Sequence, residues 1–180
     1  LIPDETSKPS LNSIAAKSAD HRYSNGPKIK NELVNRIKPS SNAIAAQREL
    51  LKAMVERWHL PRLGFEGFPA AAGLYASILE APGLHRATAE DDTRFHFVDP
   101  PEGGDARLLP LWNKADEHCL GAGPSGADLS SLYDLWRKPP YGVRDGLMPI
   151  LAVAFPMSRS GRLSVSLVVV LQPSIFPSLL

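Results

Sequence analysis

Prolines constrain the folding of this chain more than any other residue type. The 180 residues include 17 prolines, about twice the usual share of roughly 5%. Because proline lacks a backbone N–H and interrupts helices, it divides the chain into short elements with stiff connections. The hydrophobic fraction of 43% is still sufficient to bury a core. The sequence therefore predicts a mostly α fold of the α+β class, with short helices and small β-hairpins.

The strongest helix prediction is the segment from Asn42 to His59. Ser40 or Ser41 can cap its first turn, and apolar residues recur at helical spacing. We expect its core-facing residues to be Ile44, Leu51, Val55 and Trp58.

Turn signals and periodicity place further elements along the rest of the chain. These are a helix from Pro69 to Glu80, a hairpin of residues 83–86 and 94–98, a helix from Arg107 to Leu120, a helix capped by Asp128 or Ser130, a buried helix from Val143 to Phe155 and a strand from Leu163 to Leu171. The order helix, helix, strand thus occurs twice, which predicts two winged-helix-like units. We divide the chain into an irregular linker (1–27), a helical unit with a hairpin (28–105) and a second helical unit with an apolar C-terminal strand segment (106–180).

Aromatic residues at helical spacing are more often packing residues than ligand contacts. We expect the following to anchor the core or an interface: Trp58, Tyr75, Trp112, Trp136 and Tyr141.

The single cysteine, Cys119, excludes an internal disulfide and favours a cytoplasmic protein. Without a run of 18 apolar residues, the sequence gives no indication of a membrane span. Residues 163–180 contain no charge, and an apolar stretch of this kind usually marks an interface. We therefore expect this segment to contact a partner subunit or the rest of a larger polypeptide, of which the chain is a fragment.

No constellation of residues predicts catalysis or a cofactor. The sequence contains neither a G-x-S-x-G motif nor a phosphate-binding glycine loop. His85 and His96 can face each other across the predicted hairpin, but they lack a third ligand for a metal. The consecutive acids Glu90, Asp91 and Asp92 could bind a divalent cation, but they fit a solvated turn better. We therefore predict no catalytic residue, no metal and no cofactor.

Charge is distributed unevenly along the chain, although the total is only +1. The net charge is +5 over residues 1–65, −7 over residues 66–137 and +3 over residues 138–180. Basic segments can bind nucleic acid through its phosphates, although solvated surfaces of unlike sign explain the same pattern. The candidate nucleic-acid contacts are Lys28, Lys30, Arg36, Lys38 and Arg144, with Arg159 and Arg162 as further cations near the second unit.

Four blocks carry a resemblance to a known group of proteins: NELVNR (31–36), PSSNAIAAQRELLKAM (39–54), GLHR (83–86) and LYDLWRKPPYGVRDGLMPILAVAF (132–155). In their order and spacing they resemble an internal region of large bacterial P-loop ATPase-like, ATP-binding proteins found among phage-defence gene clusters. The charged strand that usually follows the apolar helix in those proteins is replaced here by an uncharged segment.

The resemblance implies a helical and winged-helix-like region downstream of a nucleotide-binding domain, with no catalytic residue of its own. Its expected role is that of a non-catalytic scaffold, lid or interaction module of a defence-type ATPase. The alternative is a winged-helix module that binds nucleic acid directly.

Overall fold

Helices dominate the part of the chain that the computed structural model describes, residues 11–159 apart from 37, 90 and 123–125. The α-helices are α1 (Leu11–Arg22), α2 (Glu32–Asn35), α3 (Ser41–Glu56), α4 (Ala70–Tyr75), α5 (Leu109–Gly121), α6 (Leu129–Arg137) and α7 (Met148–Ser158). A 3-10 turn covers Pro61–Gly64, and α4 continues as a π-helical turn over Ala76–Glu80. Strands β1 (His85–Ala87) and β2 (Phe95–Phe97) pair antiparallel, with His85 opposite Phe97. The predicted mostly helical α+β class is confirmed.

The helix starts follow local side-chain chemistry. Ser40 caps α3 by accepting a hydrogen bond from the Ala43 N–H at 3.3 Å, and Asp128 caps α6 by accepting from the Ser131 N–H at 2.8 Å. Both satisfy amide groups that have no partner within the helix. The predicted caps of these two helices are therefore confirmed.

One continuous core runs through α3, α4, α5, α7 and the hairpin, and it includes residues from both predicted helical units. Tyr75, Trp112 and Trp136 are fully buried in it. The Trp112 Nε1–H donates to Ser158 Oγ at 3.0 Å, so that this buried ring keeps its polar group satisfied. Three of the five expected aromatic anchors thus lie in the core.

Helix α3 buries a different face from the predicted one. Its buried residues are Ala43, Ala46, Leu50, Ala53 and Met54, whereas Val55 and Trp58 are 50% and 45% exposed. The alanines allow α3 to pack closely against α4, whose Ala71 and Ala72 are also buried. Of the predicted stripe, Leu51 packs against the edge of the core and Ile44 is half-buried. The prediction is wrong for Val55 and Trp58, because it weighted large apolar side chains over small ones.

Two segment assignments also differ from the sequence prediction. Helix α1 occupies residues 11–22, within the segment expected to be irregular, because these twelve residues contain neither proline nor glycine. Helix α7 begins at Met148 rather than Val143, since the Val143 N–H bonds to the Trp136 carbonyl at 2.9 Å and residues 144–147 form a turn. The predicted strand from Leu163 to Leu171 lies outside the described residues.

Arg159 at the end of α7 is buried rather than exposed as a surface cation. Its Nε–H donates to Asp116 Oδ1 at 3.0 Å, and its Nη groups donate to Asp99 and Asp116. This charge cluster joins α7 to α5 and to the segment after β2, because a buried guanidinium requires paired carboxylates. The expectation that Arg159 contacts nucleic acid is therefore wrong, and Arg162 lies outside the described residues.

Candidate nucleic-acid interface

A groove of about 870 Å³ lies between the N-terminal segment and the turn that precedes α7. One wall consists of residues from the end of α1 to Lys28, and the opposite wall of residues from Tyr133 to Pro149. The lining is completed by Arg107, by the start of α3 and by three residues between the first wall and α3, namely Leu33, Arg36 and Pro39. We call it the cationic groove, because five cationic and only two acidic side chains line it.

Backbone hydrogen bonds hold the N-terminal wall in place. The Asn25 N–H donates to the Pro140 carbonyl at 3.1 Å, and the Lys28 N–H donates to the Ala106 carbonyl at 2.9 Å. These bonds connect residues far apart in sequence. The groove is therefore a product of tertiary contacts and of no single motif.

Two glycines allow the wall from Tyr133 to Pro149 to approach its neighbours closely, Gly142 at Tyr23 of the N-terminal wall and Gly146 at Val34 of α2. A Cβ on Gly142 would lie 2.5 Å from Cδ1 of Tyr23, and a Cβ on Gly146 would lie 2.6 Å from the Val34 carbonyl oxygen. Gly142 also has a φ of +59°, a conformation that glycine adopts without steric cost. The tract from Pro139 to Gly146 thus forms one wall because of its glycines.

The five cations differ in how far their charge is compensated. Arg36 pairs with Glu32 at 3.3 Å, and Arg137 pairs with Asp134 at 3.0 Å and with Asp145 at 2.9 Å.

In contrast, Arg107 and Arg144 donate to backbone carbonyls, of Ser24 at 3.0 Å and of Asn35 at 3.3 Å. Among the described residues, no carboxylate forms an ion pair with Lys28, Arg107 or Arg144. A carbonyl orients a guanidinium without neutralising it, so these three side chains supply the positive charge of the groove that ion pairs do not compensate, and they outnumber its remaining acidic residue, Asp20.

Arg107 has a strained backbone as well as an oriented side chain. Its φ of +52° lies in the left-handed region, which costs a residue with a Cβ about 1–2 kcal/mol. Strained residues of this kind cluster at functional sites. Its Nη1–H bond to Ser24 holds the side chain at the groove while the backbone turns into α5.

Three tyrosines, Tyr23, Tyr133 and Tyr141, line the groove together with the cations. Burial raises the pKa of Tyr133 to about 12, and burial also raises the pKa of Tyr141. The phenols of Tyr133 and Tyr141 therefore stay neutral near pH 7 and do not repel an anion. The groove combines cationic charge with uncharged aromatic surface.

The predicted cationic residues do not all fall on this surface. Lys28, Arg36 and Arg144 line the cationic groove, whereas Lys30 lines a separate groove of about 710 Å³. In that second groove, which we call the Phe68 groove, Lys30 and Arg62 are balanced by Glu32 and Glu80. Lys38 is exposed but lines neither groove.

Sequence reasoning missed Arg107 and Arg137. Arg137 lies two residues before the double proline Pro139-Pro140, which is a signal that the chain turns there, but nothing in the local sequence indicates that Arg107 reaches Ser24.

The paired histidines of the hairpin do not form a metal site. The ring nitrogens of His85 lie 3.0 Å from the Tyr75 hydroxyl and 2.7 Å from the Trp58 carbonyl oxygen. Burial lowers the pKa of His85, so that the neutral ring is favoured. Within the described part of the chain, no group of three His, Cys, Asp or Glu residues is placed to bind a metal ion.

Neither the helices nor the comparisons with known proteins indicate what the groove binds. Among the helices of the described residues, none has the length and apolar character needed to cross a bilayer. In comparisons with known proteins, no family model, no curated protein and no solved structure matches the chain.

Proposed function

We propose that this chain is a non-catalytic interaction module that binds nucleic acid through phosphate groups in the cationic groove. The observation that carries the proposal is the convergence of Lys28, Arg107 and Arg144 on one groove without carboxylate partners. Lysine and arginine side chains supply the sequence-independent part of nucleic-acid affinity, because they neutralise phosphates and release bound counterions. The preorganised guanidinium of Arg107 suits this role, since arginine binds phosphate through parallel N–H donors.

The test is salt-dependent binding of a fluorescently labelled oligonucleotide, measured by anisotropy. Lys28→Glu and Arg144→Glu are each expected to weaken binding and to lower the slope of log K against log salt by about 1. Lys30→Glu is the matched control, because Lys30 is an exposed lysine two residues from Lys28 that lines the charge-balanced Phe68 groove. Binding that is absent in the wild-type protein, or lost equally in the control, would contradict the proposal.

A second proposal places the module within a larger protein. The resemblance to P-loop ATPase-like proteins supports a scaffold or lid that couples nucleotide state to the bound nucleic acid. The side chain of Phe68 is 99% exposed at the edge of the Phe68 groove, and an apolar surface there favours a contact with another part of such a protein. A glycine-lysine phosphate-binding loop encoded upstream in the same reading frame would support this role, and its absence from the complete frame would exclude it.

A further inference from the structure

We infer that the cationic groove binds a single strand of nucleic acid, with tyrosine rings as the stacking surfaces for its bases. This inference rests on the proposed function and specifies the class of ligand. Three tyrosines line the groove together with five cations. Proteins that hold single strands without sequence preference combine a positive groove with aromatic side chains on which bases stack.

The cations and two of the three tyrosines differ in exposure. Lys28, Arg107 and Arg144 are exposed, as is Tyr23, whereas Tyr133 and Tyr141 are half-buried. Phosphates can therefore contact the exposed cations while bases reach the tyrosine rings. A single strand allows this arrangement because its bases can turn away from the backbone, whereas the bases of a duplex are already paired and stacked.

The size of the groove also favours one strand. Its volume of about 870 Å³ lies within the range of roughly 300–1,000 Å³ that is typical of small-ligand pockets. A few nucleotides fit such a space, while a duplex could only contact its mouth.

The helix that precedes the hairpin is poorly suited to reading a duplex. In a helix-turn-helix protein the recognition helix lies in the major groove. Here, α4 and its π-helical extension expose Ala70, Gly73, Ala76 and Glu80 to solvent, so that no cation faces outward from this segment. If this helix entered the major groove of a duplex, it would contribute no cationic side chain to contact the phosphates.

Tyr23 is the best placed ring for stacking. It is 38% exposed, and its ring lies so close to Gly142 that a Cβ at this position would be 2.5 Å from Cδ1 of the ring. The Arg22 guanidinium lies over one face of the ring, 5.9 Å from its centroid, so a base would stack on the opposite face with this cation close by. The ring thus offers accessible aromatic surface beside a cation.

The experiment compares an oligothymidylate of about 15 nucleotides, a length that covers the site sizes of known single-strand binders, with a duplex of equal length. Anisotropy titrations of the wild-type chain are expected to show tighter binding of the single strand. Tyr23→Leu should weaken that binding by roughly five- to 150-fold, the loss of one stacking contact, and leave the salt slope unchanged. Tyr23→Phe, which retains the ring, should bind as the wild type does.

Each alternative outcome identifies what fails. Equal affinity for single strand and duplex, or wild-type binding by Tyr23→Leu, would overturn the single-strand inference but leave phosphate binding intact. An absence of salt-dependent binding to both ligands would overturn the proposed function as well. If thermal unfolding shows that Tyr23→Leu does not fold, the comparison of the two ligands on the wild-type chain still decides the question.

Discussion

Replacement of Arg107 by glycine should separate binding from stability. The φ of +52° at Arg107 is natural for glycine, so Arg107→Gly removes a backbone strain of about 1–2 kcal/mol. The same change loses the exposed hydrogen bond to Ser24, which contributes about 0.5–1.5 kcal/mol, and gives the unfolded chain more conformational freedom, which costs about 0.5–1 kcal/mol. These terms nearly cancel, and we expect the free energy of unfolding to change by less than about 1 kcal/mol.

The affinity of Arg107→Gly for nucleic acid should change much more than its stability. The lost guanidinium contact is worth about 1–2 kcal/mol, between an exposed ion pair and a charge-assisted hydrogen bond, which corresponds to roughly a five- to thirtyfold weaker affinity. The slope of log K against log salt should fall by about 0.7 for a single-stranded ligand.

The chain supplies a closely matched control in Arg62. This arginine is also exposed, has a φ of +50° and donates to a backbone carbonyl, that of Gly67, at 3.1 Å. It lines the Phe68 groove instead, so Arg62→Gly removes the same charge in the same backbone conformation without touching the cationic groove. Anisotropy titration and urea unfolding of both variants provide the measurements. Equal losses of affinity in the two variants, or wild-type affinity in Arg107→Gly, would refute the role assigned to Arg107.

Two further predictions concern the stability of the fold. Gly146→Ala should lower the free energy of unfolding in urea by about 1–3 kcal/mol, because its Cβ would lie 2.6 Å from a backbone oxygen of Val34. Gly73→Ala, where nothing lies within 4 Å of the added Cβ, should be neutral or stabilising, and equal effects in the two would contradict the contact. The lowered pKa of His85 means that the unfolded state binds a proton more readily than the folded state. Stability should therefore decrease as the pH falls below about 6.5, and denaturant unfolding at pH 7 and pH 5 should show a smaller decrease in His85→Phe than in the wild type.

Features of the fold that depend on neighbouring residues could be predicted from the sequence. Ser40 and Asp128 cap their helices as predicted, because a cap acts within three residues of itself. The buried face of α3 could not be predicted in the same way. Its choice depends on how closely Ala46 and Ala53 let α4 approach, and no periodicity within α3 contains that information.

In the cationic groove, too, the sequence predicts the residue types but not their arrangement in space. The distribution of charge along the sequence identified Lys28, Arg36 and Arg144 as candidate contacts. Their convergence, however, depends on long-range hydrogen bonds, such as the one from Arg144 to Asn35, two residues that are 109 positions apart. Lys30 is two residues from Lys28 and faces a different groove. Sequence reasoning can therefore identify which side chains carry charge, but the arrangement of these charges is a property of the tertiary structure.

Few contacts hold the N-terminal wall of the cationic groove, so we expect local unfolding to open the groove. Helix α1 is exposed along almost its whole length, so the wall it leads into is held mainly by the contacts of residues 23–28. Segments with few buried contacts open at a lower free energy than the core does. If the closed form alone presents Tyr23 and Lys28 to a ligand, the apparent dissociation constant is the intrinsic one divided by the closed fraction. Gly142, which lines the groove and leaves room for the Tyr23 ring, would then influence the affinity through this equilibrium.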